Sequence, residues 1–236
     1  MKDWPDTVKQ MLFPLRCPVC DGIVTPRGAG ICPDCAPRLK LLTPPYCLKC
    51  GKKLRDEREF CADCSGASHV FDRGRALYEY ESAAGSIYRL KYGGRQEYAD
   101  FLGEEMARYL GAFVGETAPD ALIPIPLHPA RQRGRGYNQA ALLAESVGRR
   151  LDVPVRAKYL SRVRNTKPLK YLNPKERQNN LKRAFNIDQN DVKLKTVILV
   201  DDIYTTGSTM DEAAATLKAG GVERVYFIAL ACGAGV

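Results

Sequence analysis

Val197-Ile198-Leu199-Val200-Asp201-Asp202-Ile203-Tyr204-Thr205-Thr206-Gly207-Ser208-Thr209 is the stretch that decides how this chain folds. Its apolar, β-branched start reads as a strand over Thr196–Val200 buried on both faces, the habit of a parallel sheet. The strand runs into two acids. A loop of small residues follows and opens a helix. Thr205, Thr206, Ser208 and Thr209 bring four hydroxyls close to the free backbone N–H groups of a helix N-terminus, which suits an anion such as a phosphate monoester. Gly207 permits the positive φ or close backbone approach that such a cradle needs. Asp201 and Asp202 are poor phosphate ligands. They suit two adjacent sugar hydroxyls, or Mg²⁺. Phosphate plus vicinal hydroxyls describes a ribose 5-phosphate group. The bland alternative is an acid pair that ends a strand and a Thr-Gly-Ser cap. No Gly-Lys-Ser/Thr follows, so the loop is not a Walker-type nucleotide cradle.

Working outward, further apolar strands are expected at Arg75–Tyr80, Ala121–Pro126 and Val225–Leu230. Ala140, Leu143, Val147 and Leu151 fall on one helix face, as do Ala213, Leu217 and, more loosely, Met210. Gly220-Gly221 closes the second of these helices. Strands that alternate with helices make an α/β domain, mostly parallel, with helices on both faces. Ligands in such folds bind at the carboxyl ends of the strands. That is where the acid pair and cradle lie.

The front of the chain is different. Eight of the nine cysteines form Cys17-x-x-Cys20, Cys32-x-x-Cys35, Cys47-x-x-Cys50 and Cys61-x-x-Cys64, starting 15, 15 and 14 residues apart. A two-residue spacer lets two thiolates face one cation, with Zn–S near ~2.3 Å. Gly22, Gly51 and Gly66 follow three of the pairs. Disulfides would need an oxidising compartment. Residues 23–31 and 52–60 read as short hairpins, and Leu41–Pro45 reads as a linker. Sequential pairing is therefore expected: one ribbon spans Cys17–Cys35 and a second spans Cys47–Cys64. Interleaved pairing is the alternative. Four cysteines per ion leave no open position, so both Zn²⁺ sites are expected to be structural. His69 is an alternative ligand or a linker residue. Cys232 is expected to be a small core residue in the last strand.

The boundary between a cysteine-rich domain (1–70) and an α/β domain (71–236) is placed near residue 70. No apolar run approaches the ~18 residues of a membrane span, and the start lacks a signal-peptide core. A cytoplasmic chain is expected. The net charge is +9, and residues 131–183 hold fifteen Lys/Arg against Glu145, Asp152 and Glu176. Such a basic segment implies a polyanionic partner, either a phosphorylated small molecule or nucleic acid.

With these motifs in order, the chain resembles the ComF/GntX family, a double zinc ribbon followed by a type I phosphoribosyltransferase fold. Residues 197–209 resemble the phosphoribosyl-pyrophosphate (PRPP) signature. Pro124-Ile125-Pro126-Leu127-His128, leading to Arg135-Gly136-Tyr137-Asn138-Gln139-Ala140, completes the likeness. The resemblance implies that Asp201 and Asp202 meet the ribose hydroxyls and that Thr205, Thr206, Gly207, Ser208 and Thr209 hold the 5′-phosphate. It puts His128, Arg131, Arg133, Arg135 and Gly136 at the pyrophosphate. It also implies a hood near 159–190 carrying Arg162, Arg164, Thr166, Arg177, Asn180 and Ala184-Phe185. Leu169 stands where the family pattern has glutamine.

Two activities follow from the resemblance. One is phosphoribosyl transfer from PRPP, with Mg²⁺, to a nitrogen acceptor. No Ser/His/Asp or Cys/His constellation is present, and this displacement of pyrophosphate needs none. The alternative is a non-catalytic adaptor in natural transformation that handles single-stranded DNA beside a DNA-uptake helicase. Tyr137, Tyr159, Tyr171 and Phe185 interleave with the basic residues there, either to stack on bases or to fill the core or hood.

Overall fold

The computed structural model describes residues 14–26, 28–163, 184–188 and 193–233. The elements, in chain order, are α1 (Ala62–Gly66), β1 (Gly74–Glu79), α2 (Tyr80–Tyr92), α3 (Tyr98–Thr117), β2 (Ala121–Pro124), α4 (Pro129–Arg135), α5 (Gln139–Leu151), β3 (Leu160–Arg162), β4 (Phe185–Ile187), β5 (Thr196–Tyr204), α6 (Ser208–Ala219) and β6 (Arg224–Cys232). Four strands form a parallel sheet in the order β1-β6-β5-β2. β3 and β4 form a small antiparallel pair.

β5 is longer than its apolar run. It pairs with β6 from Thr196↔Arg224 to Tyr204↔Cys232. The register of β2 ends at Pro124↔Val200. The acids therefore lie within the strand, with the cradle starting after Tyr204, because the apolar end of β6 continues the ladder after β2 has turned away.

Period-2 alternation sorts β5 into two cores. Val197 and Leu199 pack with Ala213, Ala214 and Leu217 of α6 and with Tyr159, Leu160 and Phe185, and after the acid pair the alternation reverses, so that Tyr204 joins this core and Ile203 the other. Ile198 and Val200 pack with Leu90 of α2, Leu102 and Met106 of α3, and Leu143 and Val147 of α5. Cys232 is buried in the first of these cores.

The cysteine-rich segment is built from knuckles. The hairpins expected at 23–31 and 52–60 are absent among the described residues. Instead, single antiparallel bridges, Arg16↔Ile23 and Tyr46↔Lys53, flank the first cysteine pair of each ribbon. The reason is that the backbone wraps around the leading cysteine. Cys17 N–H donates to Gly22 O at 2.8 Å, and Cys47 N–H donates to Lys52 O at 2.8 Å. The tight turn then places Asp21 and Gly51, at equivalent positions, at φ of 62° and 73°.

The two ribbons dock differently. Cys17 and Cys35 form a separate small core with Val24. That ribbon is held by Asp21, which accepts from Tyr98 and, at 3.0 Å, from Arg95, and by Arg89, which donates to Val19 O at 3.1 Å. The second ribbon belongs to the core beneath α6, through Cys47, Cys50, Leu54 and Cys61. The segment read as a linker covers the sheet edge, with Leu41 bridging Tyr78.

Candidate functional site

The carboxyl ends of β5 and β2 and the start of α6 converge on one place. Gly207 is the N-cap of α6, at φ +83°, and supplies no capping side chain. The first N–H groups of the helix are thus left for another acceptor. Thr206 and Ser208 hydroxyls lie 3.1 Å apart across the turn, and Thr205 is exposed. Thr209 is the second residue of the helix.

The two acids have distinct surroundings. Asp201 keeps part of its surface open and accepts from the Asp202 N–H at 2.8 Å. Burial, then the neighbouring Asp202 charge, pushes its carboxyl well above the ordinary value. Asp202 is buried and ion-paired with Lys91, whose side chain is 18% exposed. Burial pushes the Asp202 carboxyl up, but Lys91 and the hydrogen bond from Asp201 outweigh it and hold it low. Asp202 is thus the acid whose charge its cation favours, and Asp201 the one whose ionisation burial and the neighbouring charge oppose. Lys91 escaped the sequence reading. A cation in the last turn of a helix is ordinary, and nothing local marks it as a partner of the acid pair.

Next to this pair, the Arg135-to-Ala140 motif is a positioning device. Gly136 turns through φ +84° to close α4. Tyr137 donates to Leu90 O. Asn138 caps α5 by accepting from Ala140 N–H at 3.0 Å while donating to Ile125 O at 3.0 Å. Gln139 accepts from Arg135, whose guanidinium sits 5.1 Å from the Tyr92 ring centroid. Arg135 is thereby held where its charge acts on both Asp202 and Lys91. His128 caps α4 by accepting from Ala130 N–H at 3.2 Å. Arg131 is half-buried and Arg133 exposed on α4. Arg162 on β3 packs over Phe185 at 5.4 Å, and burial, then the charge of Arg131, lowers its guanidinium, while Asp201 opposes this. Arg131, Arg135, Arg162 and the acid pair therefore sense one another. Arg164, Thr166, Leu169, Tyr171, Arg177 and Asn180 lie outside the described residues.

Three of the aromatics offered for base stacking are buried: Tyr137, Tyr159 and Phe185. Among the described residues the most exposed aromatics are on α2, where Tyr88 and Tyr92 are 64% and 67% exposed, with centroids 5.3 Å apart. Residues four apart on a helix share a face, and that spacing alone does not separate a core face from a solvent face.

The eight cysteines resolve into two quartets, Cys17/Cys20/Cys32/Cys35 and Cys47/Cys50/Cys61/Cys64, with the sulfurs of each within 4.8 Å of one another. Pairing is sequential, as expected from the linker between Cys35 and Cys47, and all nine cysteines are free thiols. Cys50 and Cys61 sulfurs are 3.7 Å apart, and Cys20 and Cys32 sulfurs 4.0 Å. A tetrahedron of ~2.3 Å Zn–S bonds has edges of about 3.8 Å. The donor sets fit Zn²⁺ and leave no position open. In the first quartet burial pushes the Cys17 thiol up, but backbone hydrogen bonds at Cys20, Cys32 and Val19 bring it down to about 7. Cys35 is pushed up to about 12 by burial and its neighbouring thiols. Such a set sheds its protons fully only to a metal. His69 is no ligand. Its Nδ1 bonds Asp211 at 2.7 Å.

The comparisons with known proteins agree with this arrangement. The double zinc ribbon domain family matches residues 8–65, and the phosphoribosyl transferase domain family matches residues 138–234. Competence protein F of Haemophilus influenzae is 33% identical over 229 residues, covering 93% of this chain and 97% of that protein. The chain belongs to the ComF family. It is also 30% identical over 198 residues to competence protein ComFC of Bacillus subtilis (79% of this chain, 77% of that one). With DNA utilization protein YhgH of Escherichia coli it shares 28% over 200 residues (83% and 87%). This ComF chain joins a double zinc ribbon to a type I phosphoribosyltransferase fold. No described helix is long and apolar enough to cross a membrane.

Two predictions follow from the site. Elemental analysis of the purified chain should give two zinc ions per chain, and Cys20→Ser should remove one of them. A ratio near one in the unmodified chain would contradict two filled quartets. Lys91→Met leaves Asp202 buried without its cation and should destabilise the chain by about 3 kcal/mol in urea denaturation at neutral pH. Because Lys91 lowers the Asp202 carboxyl, its stabilisation is present above the ordinary carboxylate pKa and is lost as pH falls. The gap between the two proteins should therefore narrow on acidification. A pH-independent gap would contradict the pairing.

Proposed function

We propose that this chain binds PRPP, or another ribose 5-phosphate ester, and transfers the phosphoribosyl group to a nitrogen nucleophile. The observation that supports this best is the order of groups at the end of β5. The half-open Asp201 and the buried Asp202 are followed five residues later by Gly207, which caps a helix start with uncapped N–H groups.

In this reading residues 205–209 seat the 5′-phosphate and Asp201 and Asp202 accept from the ribose hydroxyls. Arg135, Arg131, Gly136 and His128 face the leaving pyrophosphate. Displacement at C1 breaks the bond to pyrophosphate and forms the bond to nitrogen. The transition state is electron-poor at C1, so the work falls to positioning and to neutralising the departing oxygens. No covalent nucleophile is needed. Mg²⁺ would add charge neutralisation at the pyrophosphate. Asp201 is the carboxylate partly open to it, since Asp202 is committed to Lys91, and a cation there offsets the repulsion that raises Asp201.

Titration calorimetry with PRPP and Mg²⁺ tests this. Binding should weaken about tenfold or more in Asp201→Asn and Asp202→Asn, because each loses a charge-assisted hydrogen bond of ~1.5 kcal/mol or more. No heat at millimolar ligand would sink the enzyme reading.

A second reading is supported by the exposed pair on α2 and by the competence and DNA-utilization names of the relatives. Tyr88 and Tyr92 would stack on bases while Arg131 and Arg133 meet phosphates, and a DNA-uptake helicase would be the protein partner. Base–aromatic stacking is worth ~1–3 kcal/mol per base. Tyr88→Ala/Tyr92→Ala should then weaken binding of an oligodeoxythymidine at least about fivefold, and binding of the unmodified chain should fall steeply with salt. Salt-insensitive binding, or no shift at all, removes this reading.

A further inference from the structure

Three consecutive residues tie the last turn of α2 to the ribose-phosphate site. Leu90 O accepts from Tyr137, Lys91 pairs with Asp202, and the Tyr92 ring centroid lies 5.1 Å from the Arg135 guanidinium. Each tie comes from a different element. Asp202 is on β5, Arg135 is the last residue of α4, and Tyr137 lies between α4 and α5. Gly93 and Gly94 then end the helix, with the Gly93 N–H donating to Arg89 O at 2.8 Å and Gly94 at φ +67°. This turn of α2 is therefore fixed from the site side, and its remaining face is open.

α2 buries Ala83, Ile87 and Leu90. Its solvent side carries Glu81, Gly85, Tyr88 and Tyr92, all exposed. Steps of three and four residues put these on one stripe, about 17 Å long at ~1.5 Å per residue. The acid stands at one end and the two tyrosines at the other, beside Arg135. Arg131 and Arg135, four apart on α4, carry positive charge along that end. Aromatic faces beside guanidinium groups complement bases joined by phosphates, and a single strand, unlike a duplex, leaves its base faces free to stack. Arg135 is already oriented for a contact of this kind. Its Nη1 donates to Gln139 Oε1 and its plane is held over Tyr92. The same guanidinium acts on Asp202 and Lys91 from the site side. Two ligands that each set a phosphate on it would hold like charges within a few ångströms of one another, which is unfavourable.

We propose that Arg135 is a shared phosphate contact. It meets a backbone phosphate of a single-stranded polynucleotide stacked on Tyr88 and Tyr92, and it meets the pyrophosphate of PRPP, so that each ligand weakens the binding of the other. The overlap rests on the ribose-phosphate reading of the β5 end and on the stacking reading of α2, and adds to them a regulation that neither contains. It is confined to the pyrophosphate, because the 5′-phosphate belongs to residues 205–209. The coupling is reciprocal, as linked binding equilibria must be.

The test uses the full zinc-loaded chain and the fluorescence anisotropy of a labelled oligodeoxythymidine, at fixed ionic strength and fixed free Mg²⁺. Saturating PRPP, or inorganic pyrophosphate, should raise the apparent Kd of the oligonucleotide about tenfold or more, the size of one charge-assisted contact. Ribose 5-phosphate at saturation should leave that Kd unchanged. Calorimetry in the other direction should show the oligonucleotide weakening PRPP by the same factor. Arg135→Gln removes the shared cation and should bring the coupling factor close to one, whatever affinity each ligand retains. Lys195→Ala is the control. Lys195 lies just before β5, at the amino end of the sheet, and its side chain is 75% exposed, so the coupling should keep its full size.

Equal oligonucleotide affinity with and without saturating PRPP would overturn the shared contact. So would displacement by ribose 5-phosphate to the same extent as by PRPP, or a coupling that survives Arg135→Gln. If the oligonucleotide binds while neither PRPP nor ribose 5-phosphate does, the ribose-phosphate reading has failed and the shared contact falls with it. If PRPP binds and the oligonucleotide does not, the stacking reading and the shared contact fall and the ribose-phosphate reading stands.

Discussion

The parallel ladder between β5 and β6 is the constraint on which the other features depend. It continues to Tyr204↔Cys232, well beyond the end of β2. A strand held only as far as Val200 would release the acid pair into a mobile loop. Because β6 offers a full apolar edge, Asp201 and Asp202 are carried on rigid backbone, and the chain leaves the sheet at one defined point. Gly207 can then start α6 without a capping side chain, a few residues beyond the acids. The site's geometry is a consequence of sheet pairing before it is a matter of side-chain chemistry.

Holding two carboxylates at a buried strand end carries an electrostatic penalty, and the surrounding cations show how it is met. Lys91 neutralises Asp202, and Arg135 adds its field from a position fixed by Gly136, Tyr137 and Gln139. Asp201 is left half-open and reluctant to ionise alone. Such an arrangement favours a ligand that brings hydroxyl donors or a cation with it. It also explains why a motif that reads as a run of site residues, Arg135 to Ala140, serves mainly to orient one arginine.

Much of this was legible in the sequence, and the misses share a cause. The strand–acid–glycine–helix order is local, so it could be read directly. The sequential quartets are read from the Pro-rich linker at 41–45 and from hairpins expected within each ribbon; the pairing holds although the hairpins do not. By contrast, the reach of β5 to Tyr204 depends on β6. Lys91 belongs to a helix far from the acids in sequence, and its last-turn position has an ordinary explanation. His69, next to the cysteines, reads as a spare ligand or linker until its bond to Asp211 is seen. Tyr88 and Tyr92 show the same i, i+4 spacing as a core face, and only the packing of α2 reveals that they are exposed. The ribbon hairpins shrank to single bridges because the knuckle backbone wraps its leading cysteine instead of pairing along a strand.

The measurement that bears most directly on the central claim is a crystal structure of the zinc-loaded chain with ribose 5-phosphate bound. The account predicts the phosphate against the backbone N–H groups of 206–209 and the two ribose hydroxyls on Asp201 and Asp202. A phosphate seated elsewhere, with the start of α6 still holding only solvent at saturating ligand, would contradict it.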